Sequence, residues 1–319
     1  MTFVVSEATL DDLLHEVLEK LPQAGLMTRP SRGPALEVVG AVLELRNPRA
    51  RLSRSASRSR VFSALGELVW YLSGSDDLEH IAHYIKKYRK EATEGIIKGA
   101  YGPRLFGEDR GGQIAHITQM LHERPFTRQA VVQLFDRQDL EAGIKDPPCT
   151  CTLQFLLRDG KLNLVVYMRS NDAFMGLPHD IFAFTMLQEM VARAVGVELG
   201  TYQHFVGSLH LYVDDQEDAE AYLAEGWHSP PEEMPAMPTG DPWGFVEYLV
   251  TLERELREGT DRGSEPSGSG SDYWDDLGKV LEAFAVLRDP AQLAAIADSM
   301  TDDYYRLYLI DRRANLEAS

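Results

Sequence analysis

Two apolar runs joined by Asp159–Gly160 constrain the fold of this chain more than any other feature. The runs cover residues 152–158 and 161–169, and Asp-Gly between two such runs is typical of a tight β-hairpin. Apolar residues then recur at helical spacing over 181–195, and a further strand is predicted over 208–213. A hairpin followed by a helix and another strand predicts an α/β fold with a mixed sheet.

The rest of the chain predicts additional core elements and an appendage. Leucines at helical spacing predict a helix over 10–21, with Thr9 as its N-cap. Further core elements are predicted for three apolar segments, an extended one at 35–46, a helix at 60–72 and a strand at 129–135. From about residue 227 the chain is Pro-rich, GSEPSGSGS (263–271) predicts a flexible link, and the remainder has helical patterns. We therefore divide the chain into an α/β core at 1–235 and a helical C-terminal extension at 236–319.

Charge and cysteine content exclude several classes of protein. The formal net charge of -18 disfavours non-specific nucleic-acid binding. No apolar run is long enough to span a membrane, and the N-terminus lacks the pattern of a secretory signal. The two cysteines, Cys149 and Cys151, are too close in sequence for an unstrained disulfide. We expect a reduced, cytoplasmic protein that binds neither nucleic acid nor membrane.

Chemistry is indicated first by Cys149 in the segment DPPCTCTLQF. The two prolines fix the backbone before this thiol, which suits a nucleophile, although a cysteine beside an apolar strand is also commonly inert packing. We assign that inert role to Cys151. The segment YMRSNDAFMGLPHDIFAF then concentrates polar side chains that are costly to bury without a ligand: Arg169, Ser170, Asp172, His179 and Asp180. An arginine beside the thiol would lower its pKa, and a surface loop with a salt bridge is the alternative explanation.

Three motifs in the same order resemble thymidylate synthase and its relatives. They are PPC with Gln154 five residues beyond the cysteine, RSNDAFMGLPHDI, and GSLHLY. The resemblance runs through most of residues 28–215. It implies a thymidylate synthase-like fold in which a large mixed β-sheet is flanked by helices, and residues 1–235 as its catalytic core. It also implies a homodimer paired through the sheet, a nucleoside monophosphate substrate and 5,10-methylenetetrahydrofolate as co-substrate, without a metal.

The resemblance assigns catalytic roles to three residues and folate binding to two. Cys149 matches the nucleophile that adds to C6 of the pyrimidine. Glu67, in GELVWYL, matches the glutamate that manages water and proton transfer, and Tyr101, in AYGPR, matches the tyrosine near the C5 proton. Asp172 matches the aspartate that binds the pterin ring, and Gly176 is beside it.

The nucleotide-binding residues are also carried over from the resemblance. Six side chains match positions that contact the phosphate or the sugar hydroxyl: Arg32, Arg128, Arg169, Ser170, His210 and Tyr212. Arg128 is expected to reach in from the partner subunit. Gln129 replaces the second arginine of that pair, which alters the expected phosphate grip.

Asp180 departs from the thymidylate synthase pattern, which has an asparagine at this position. An asparagine donates to O4 of uracil, whereas an ionised carboxylate offers only acceptors and suits the 4-amino group of cytosine. We therefore expect Asp180 to read the base and to act in catalysis, because N3 gains a proton as the thiolate adds. In this respect the chain is most similar to the cytidylate (CMP and dCMP) 5-hydroxymethylases, including those of nucleoside-antibiotic pathways. The alternative is that Asp180 is an ordinary helix N-cap.

A second departure concerns the transferred carbon. The methylating enzymes wall off the exocyclic methylene with tryptophans and a short apolar C-terminus, but residues 83–102 contain no tryptophan and the C-terminus RRANLEAS is polar. Both changes admit water, so we expect a hydroxymethyl product and tetrahydrofolate. His179 is either a residue that positions this water or a solvated histidine.

Two other functions stay open on the sequence. One is a thymidylate synthase that methylates dUMP, and the other is a catalytically silent nucleotide-binding homologue. Within the hydroxymethylase prediction we favour CMP over dCMP, partly because the composition is Arg-rich, and the small Ala173 would leave room for a 2′-hydroxyl. Antibiotic biosynthesis and phage DNA modification are both open as pathways.

Overall fold

A computed structural model describes residues 2–55, 60–107, 112–141, 145–226, 233–259 and 269–317. Its centre is a seven-stranded sheet in the order β1-β3-β7-β6-β5-β4, with β2 paired to β3. The strands are β1 (Phe3–Glu7), β2 (Leu26–Thr28), β3 (Ala35–Leu45), β4 (Val131–Gln133), β5 (Thr150–Arg158), β6 (Lys161–Asp172) and β7 (Glu198–Tyr212). β1 with β3 and β6 with β7 are parallel, and the other pairs are antiparallel. The predicted α/β fold with a mixed sheet is confirmed.

Helices cover one face of this sheet and continue into the C-terminal extension. They are α1 (Leu10–Ala24), α2 (Val61–Leu72), α3 (Leu78–Tyr84), α4 (Gly102–Phe106), α5 (Gln113–Glu123), α6 (Leu177–Val195), α7 (Gln216–Ala224), α8 (Trp243–Glu258), α9 (Asp272–Ala285), α10 (Pro290–Ser299) and α11 (Asp303–Glu317). α1, α5 and α6 pack against the strands, and α2 packs on α6. None of the helices in the described ranges has the length and apolarity needed to cross a membrane.

The hairpin predicted at Asp159–Gly160 is confirmed. Arg158 pairs with Lys161 at the end of the antiparallel β5–β6 ladder. Asp159 and Gly160 both have positive φ, at 50° and 73°, which is the geometry of the tight turn favoured by the right-handed twist of the two strands. The hairpin fixes where β6 ends, and therefore where the polar segment after it lies.

Two strands differ from the sequence prediction. β7 begins at Glu198 rather than at residue 208, because its first half alternates buried Tyr202, His204 and Val206 with partly exposed residues instead of forming a continuous apolar run. β4 has only three residues rather than the predicted seven. Its ladder ends where Leu134 and Phe135 both donate to the carbonyl of Cys151.

The extension shares one hydrophobic core with the sheet region. Trp274 of α9 and Tyr305 of α11 are almost fully buried in the same cluster as the residues of α1, α2 and α6. The chain just before α8 also contacts the core, since the backbone N–H of Met237 donates to the buried Glu189 of α6 at 2.9 Å. The C-terminal helices are therefore held firmly against α2 and α6.

Candidate active site

A cavity of about 1390 Å³ opens beside the end of β6 and the first turn of α6. A pocket for one small ligand is commonly about 300–1,000 Å³, so this cavity has room for two substrates side by side. Nearly all the predicted site residues line it: Arg32, Glu67, Tyr101, Cys149, Arg169, Ser170, Asp172, Gly176, His179, Asp180, His210 and Tyr212. Arg128 is the exception, because it is exposed just before β4 and does not line the cavity of its own chain.

The Cys149 thiol lies immediately before β5, facing an arginine that the backbone holds in place. Arg169 donates from Nε to the carbonyl of Pro148 at 2.9 Å and from Nη2 to that of Pro147 at 2.7 Å. These bonds bring Nη2 to 3.7 Å from the sulfur. Burial nevertheless raises the pKa of Cys149 to about 11, with Arg169 acting in the opposite direction. Arg169 lowers the thiol pKa, as predicted, but desolvation of the thiolate outweighs the guanidinium charge and the net shift is upward.

Glu67 projects from α2 into a tyrosine-lined part of the cavity. The hydroxyl of Tyr88 donates to its Oε1 at 2.6 Å. Burial raises the pKa of Glu67, although the hydrogen bonds from Tyr88 and Tyr71 favour the ionised form. A carboxyl group with a raised pKa in a polar site is suited to proton transfer near neutral pH.

Tyr101 is fixed to the strand that follows the nucleophile. Its phenolic oxygen lies 3.1 Å from the backbone N–H of Thr150 and 2.9 Å from the Thr150 hydroxyl, and both are donors to it. With these bonds made to its oxygen, the phenol keeps its own proton to donate. Burial and the nearby Asp180 raise the pKa of Tyr101, so it is a protonated donor close to Cys149.

Asp180 is not a helix cap. α6 begins at Leu177, with Pro178 in its first turn, where proline is well tolerated. The backbone N–H of Asp180 already makes a helical bond to the carbonyl of Gly176 at 3.0 Å. The N-cap interpretation is therefore wrong, and the carboxyl side chain is directed into the cavity.

A buried chain of hydrogen bonds orients the Asp180 carboxyl. Asn171 donates from Nδ2 to Oδ2 of Asp180 at 2.7 Å, and its Oδ1 lies 3.0 Å from Nε2 of His204. Nδ1 of His204 in turn lies 2.6 Å from the hydroxyl of Tyr202. Burial lowers the pKa of His204 to about 3, so the ring is neutral. The consistent assignment has every donor pointing towards Asp180: Tyr202 to His204, His204 to Asn171, and Asn171 to Asp180.

The protonation of Asp180 differs from the sequence expectation. Burial raises its pKa well above the usual range, and the neighbouring Glu67 acts in the same direction. A protonated carboxyl group is both a donor and an acceptor. Burial thus favours the protonated form of Asp180, whereas the prediction from the sequence was made for the ionised carboxylate alone.

Residues predicted to bind phosphate and sugar lie on two sides of the thiol. Arg32 makes ion pairs with Glu91 at 2.9 Å and Asp146 at 3.0 Å, which hold its guanidinium at the cavity wall. On β7, the His210 and Tyr212 rings meet edge-to-face with their centroids 4.9 Å apart.

The residues predicted to hold the pterin order the turn between β6 and α6. Oδ1 of Asp172 accepts from the backbone N–H groups of Phe174 and Met175, both at 3.0 Å. A side chain at Gly176 would place its Cβ 3.2 Å from Nδ2 of Asn171, so a larger residue would press on the group that holds Asp180. Ala173 is fully buried and does not line the cavity, and it therefore gives no support to the choice between ribose and deoxyribose.

His179 is half-buried and hydrogen-bonded. Its Nε2 lies 3.0 Å from the hydroxyl of Ser63 on α2, and both residues line the cavity. Residues 83–102 contain no tryptophan, but Trp70 of α2 is buried at the cavity wall. Within the described ranges no cluster of three or more His, Cys, Asp or Glu side chains is arranged to hold a metal ion.

Sequence reasoning missed four polar residues that complete this site. Asn171 lies in the RSND motif between Ser170 and Asp172, and this position could have indicated a role in the site. Tyr88 lies in residues 83–102, where only the absence of tryptophan was used in the prediction. His204 and Tyr202 gave no local signal, because they reach Asp180 only through Asn171, which is 33 residues from His204.

Comparisons with known proteins match most of the sheet region of this chain. The thymidylate synthase family model matches residues 44–239. A curated relative named deoxyuridylate hydroxymethyltransferase, from Bacillus phage SP01, is 30% identical over 229 residues. The aligned region covers 67% of this chain and 59% of the relative, so the chain spans about three-fifths of that protein's length.

Proposed function

We propose, since the chain belongs to the thymidylate synthase family, that it adds a hydroxymethyl group to C5 of a cytosine nucleotide, CMP or dCMP. The one-carbon unit would come from 5,10-methylenetetrahydrofolate, and the products would be 5-hydroxymethyl-cytidine monophosphate and tetrahydrofolate. The observation that carries this proposal is Asp180, a carboxyl group aimed into the cavity and fixed by Asn171 at 2.7 Å.

A protonated Asp180 fits the Watson–Crick edge of cytosine. Its hydroxyl would donate to N3 while its other oxygen accepts from the 4-amino group. When the thiolate adds to C6, negative charge develops on the ring and N3 needs a proton. The raised pKa of Asp180 favours its protonated form, which would supply this proton, so its binding contact would strengthen in the transition state.

The remaining residues take their roles from their positions around the thiol. Cys149 adds to C6, which makes C5 nucleophilic, and Arg169 favours the thiolate from 3.7 Å. C5 then bonds to the one-carbon unit that methylenetetrahydrofolate supplies. Glu67 takes the C5 proton, with Tyr101 as a hydrogen-bond donor close to the thiol, and tetrahydrofolate leaves to give an exocyclic methylene at C5. Water then adds to this carbon, and Cys149 leaves as the C5–C6 double bond reforms. Glu67, held by Tyr88, or His179, held by Ser63, positions that water.

Hydroxymethylation of a uridylate is the second candidate. The Bacillus phage SP01 relative is named for deoxyuridylate. A protonated Asp180 would donate to O4 of uracil and accept from N3–H, which is also a matched pair. Cytidylate is favoured because only cytosine needs a proton delivered to N3. The methylating alternative is disfavoured by the polar groups, Glu67, Tyr88 and His179, that line the site where water would enter.

A homodimer is part of this proposal. The sheet face opposite the helices carries a register-aligned row of Val42, Phe205 and Tyr167, all partly or largely exposed in the single chain. Val39 is 81% exposed on the same sheet. Exposed apolar rows on a sheet are typical of an interface. Pairing through this face would allow Arg128 to serve the phosphate site of the partner.

Release of tritium from C5 tests the proposed chemistry. Wild-type protein with methylenetetrahydrofolate and [5-³H]CMP or [5-³H]dCMP should release tritium to water. Cys149→Ala should abolish release while leaving CMP binding detectable, and Cys151→Ala is the matched control that should retain release. Tritium release by Cys149→Ala would contradict the assigned nucleophile, and no release by the wild type from any pyrimidine nucleotide would favour a silent homologue.

A further inference from the structure

The C-terminal extension forms part of the cavity wall. Phe284 of α9 and Leu287, which follows α9, line the cavity. α11 contributes Tyr308, Arg312 and Asn315. The thymidylate synthase family match ends at residue 239, before α8 begins. This wall is therefore an addition of this chain to the family core.

Phe284 brings an aromatic slot close to the catalytic carboxyl groups. Its ring centroid lies 4.6 Å from that of Tyr84, 5.2 Å from that of His83 and 6.5 Å from that of Phe62. Phe62 is five residues before Glu67 on α2, so this end of the slot lies about 7.5 Å nearer the start of α2 than Glu67.

Three further arginines line the same cavity as this slot, and one of them, Arg54, pairs with Asp311 at 3.7 Å. Arg54 stacks on Tyr308, with Cζ 4.5 Å from the ring centroid, and Arg60 opens α2. Nε of Arg312 is buried without a hydrogen-bond partner, and no carboxylate among the described residues lies within ion-pair distance of Arg312. In a chain of net charge -18, a cavity-lining cation with no acidic partner indicates an anionic ligand.

We infer that the extension binds the tail of the folate co-substrate, with its aromatic ring in the Phe284 slot and its glutamate carboxylates at Arg312 and Arg60. This inference rests on the proposed function and adds the residues that hold the second substrate. Aromatic stacking followed by carboxylate-binding arginines matches the p-aminobenzoyl-glutamate part of a folate.

The nucleotide phosphate is a poorer occupant of this end. The cations that act on the Cys149 thiol are Arg169 and Arg32, not the arginines of the extension. The phosphate of a nucleotide bound over Cys149 therefore has its own cations, and the Arg312 end is left for a longer ligand that extends away from the base.

Calorimetric titration with tetrahydrofolate tests the inference independently of turnover. Arg312→Ala should weaken tetrahydrofolate binding about tenfold, the loss of one charge-assisted contact, and leave CMP binding unchanged. Arg313→Ala is the matched control, since Arg313 is the next residue of α11, is exposed and does not line the cavity. Asn315→Asp, which adds a negative charge at the exposed cavity rim with little risk to folding, should weaken tetrahydrofolate binding in the same way.

A ligand without the tail separates the outcomes. Tetrahydropteroate, which lacks the glutamate, should bind Arg312→Ala and wild type equally. Equal tetrahydrofolate affinity for wild type, Arg312→Ala and Asn315→Asp would overturn the inference while leaving the proposed function intact. Failure of the wild type to bind tetrahydrofolate at all, with CMP present, would overturn the proposed function itself.

Discussion

Replacing Asp180 by asparagine should reverse the base preference. The Asn171 amide has one orientation, because its Oδ1 accepts from the Nε2–H group of a neutral His204. Its Nδ2 group therefore donates to residue 180. In Asp180→Asn, the new amide oxygen must therefore accept from Asn171, and the new NH₂ group is turned towards the base. That group opposes the 4-amino group of cytosine and matches O4 of uracil.

The size of the reversal follows from the hydrogen bonds exchanged. For CMP, the variant loses two contacts: the acceptor for the 4-amino group and the proton for N3. Each loss leaves a buried polar group without a matched partner and costs about 1–3 kcal/mol. For UMP, the amide of the variant makes the same two contacts as the protonated carboxyl group, donating to O4 and accepting from N3–H, so the change is confined to the cytosine nucleotide. The combined change is about 4 kcal/mol in relative transition-state binding, which is about a thousandfold in relative kcat/KM.

Competition between the two nucleotides measures this ratio directly. Wild type and Asp180→Asn are given equimolar CMP and UMP, then dCMP and dUMP, with methylenetetrahydrofolate, and the product ratio is read at low conversion. The wild type should form mainly the cytidine product and the variant mainly the uridine product. An Asp180→Asn variant that still prefers cytidylate would refute the assignment of Asp180 as the base-reading residue.

Three further substitutions test other parts of the site. Asn171→Ala should lower kcat/KM for CMP by about tenfold or more, because Asp180 loses its orienting donor, and unchanged kinetics would contradict the relay. Arg169→Gln should move the pH midpoint of Cys149 alkylation, expected near its pKa of about 11 in the wild type, to higher pH by removing a cation, as read from peptide mass spectra; an unmoved midpoint would show that Arg169 does not act on the thiol. Tyr167→Arg on the exposed sheet face should convert a dimer to monomer in sedimentation, and an unchanged mass would exclude this face as the interface.

Local patterns sufficed for the parts of the fold with local causes. The Asp159–Gly160 turn, the Thr9 cap of α1 and the glycine stop of α6 each depend on residues adjacent in sequence. The start of α6 was misjudged because Pro178 is as compatible with the first turn of a helix as with the loop before it. β7 was underestimated because burial on one face produces alternation, which is a weaker signal than a continuous apolar run.

The candidate site was predictable as a set of residues but not as an electrostatic environment. The three motifs identified the part of the cavity lining around the thiol, including Cys149 and Asp180. The raised pKa values of both groups arise from burial, which depends on the tertiary packing and not on a local sequence pattern. The contribution of Phe284 and Arg312 to the cavity was likewise hidden, because it depends on how the extension packs against α2.

Product mass with four nucleotides tests the central claim most directly. The protein is incubated with methylenetetrahydrofolate and each of CMP, dCMP, UMP and dUMP, and the nucleotide products are weighed by mass spectrometry. We predict a hydroxymethyl addition on a cytidine nucleotide and none on a uridine nucleotide. A hydroxymethyl addition on a uridine nucleotide alone would contradict the cytosine assignment, and a methyl addition on dUMP would contradict both the base and the final capture by water.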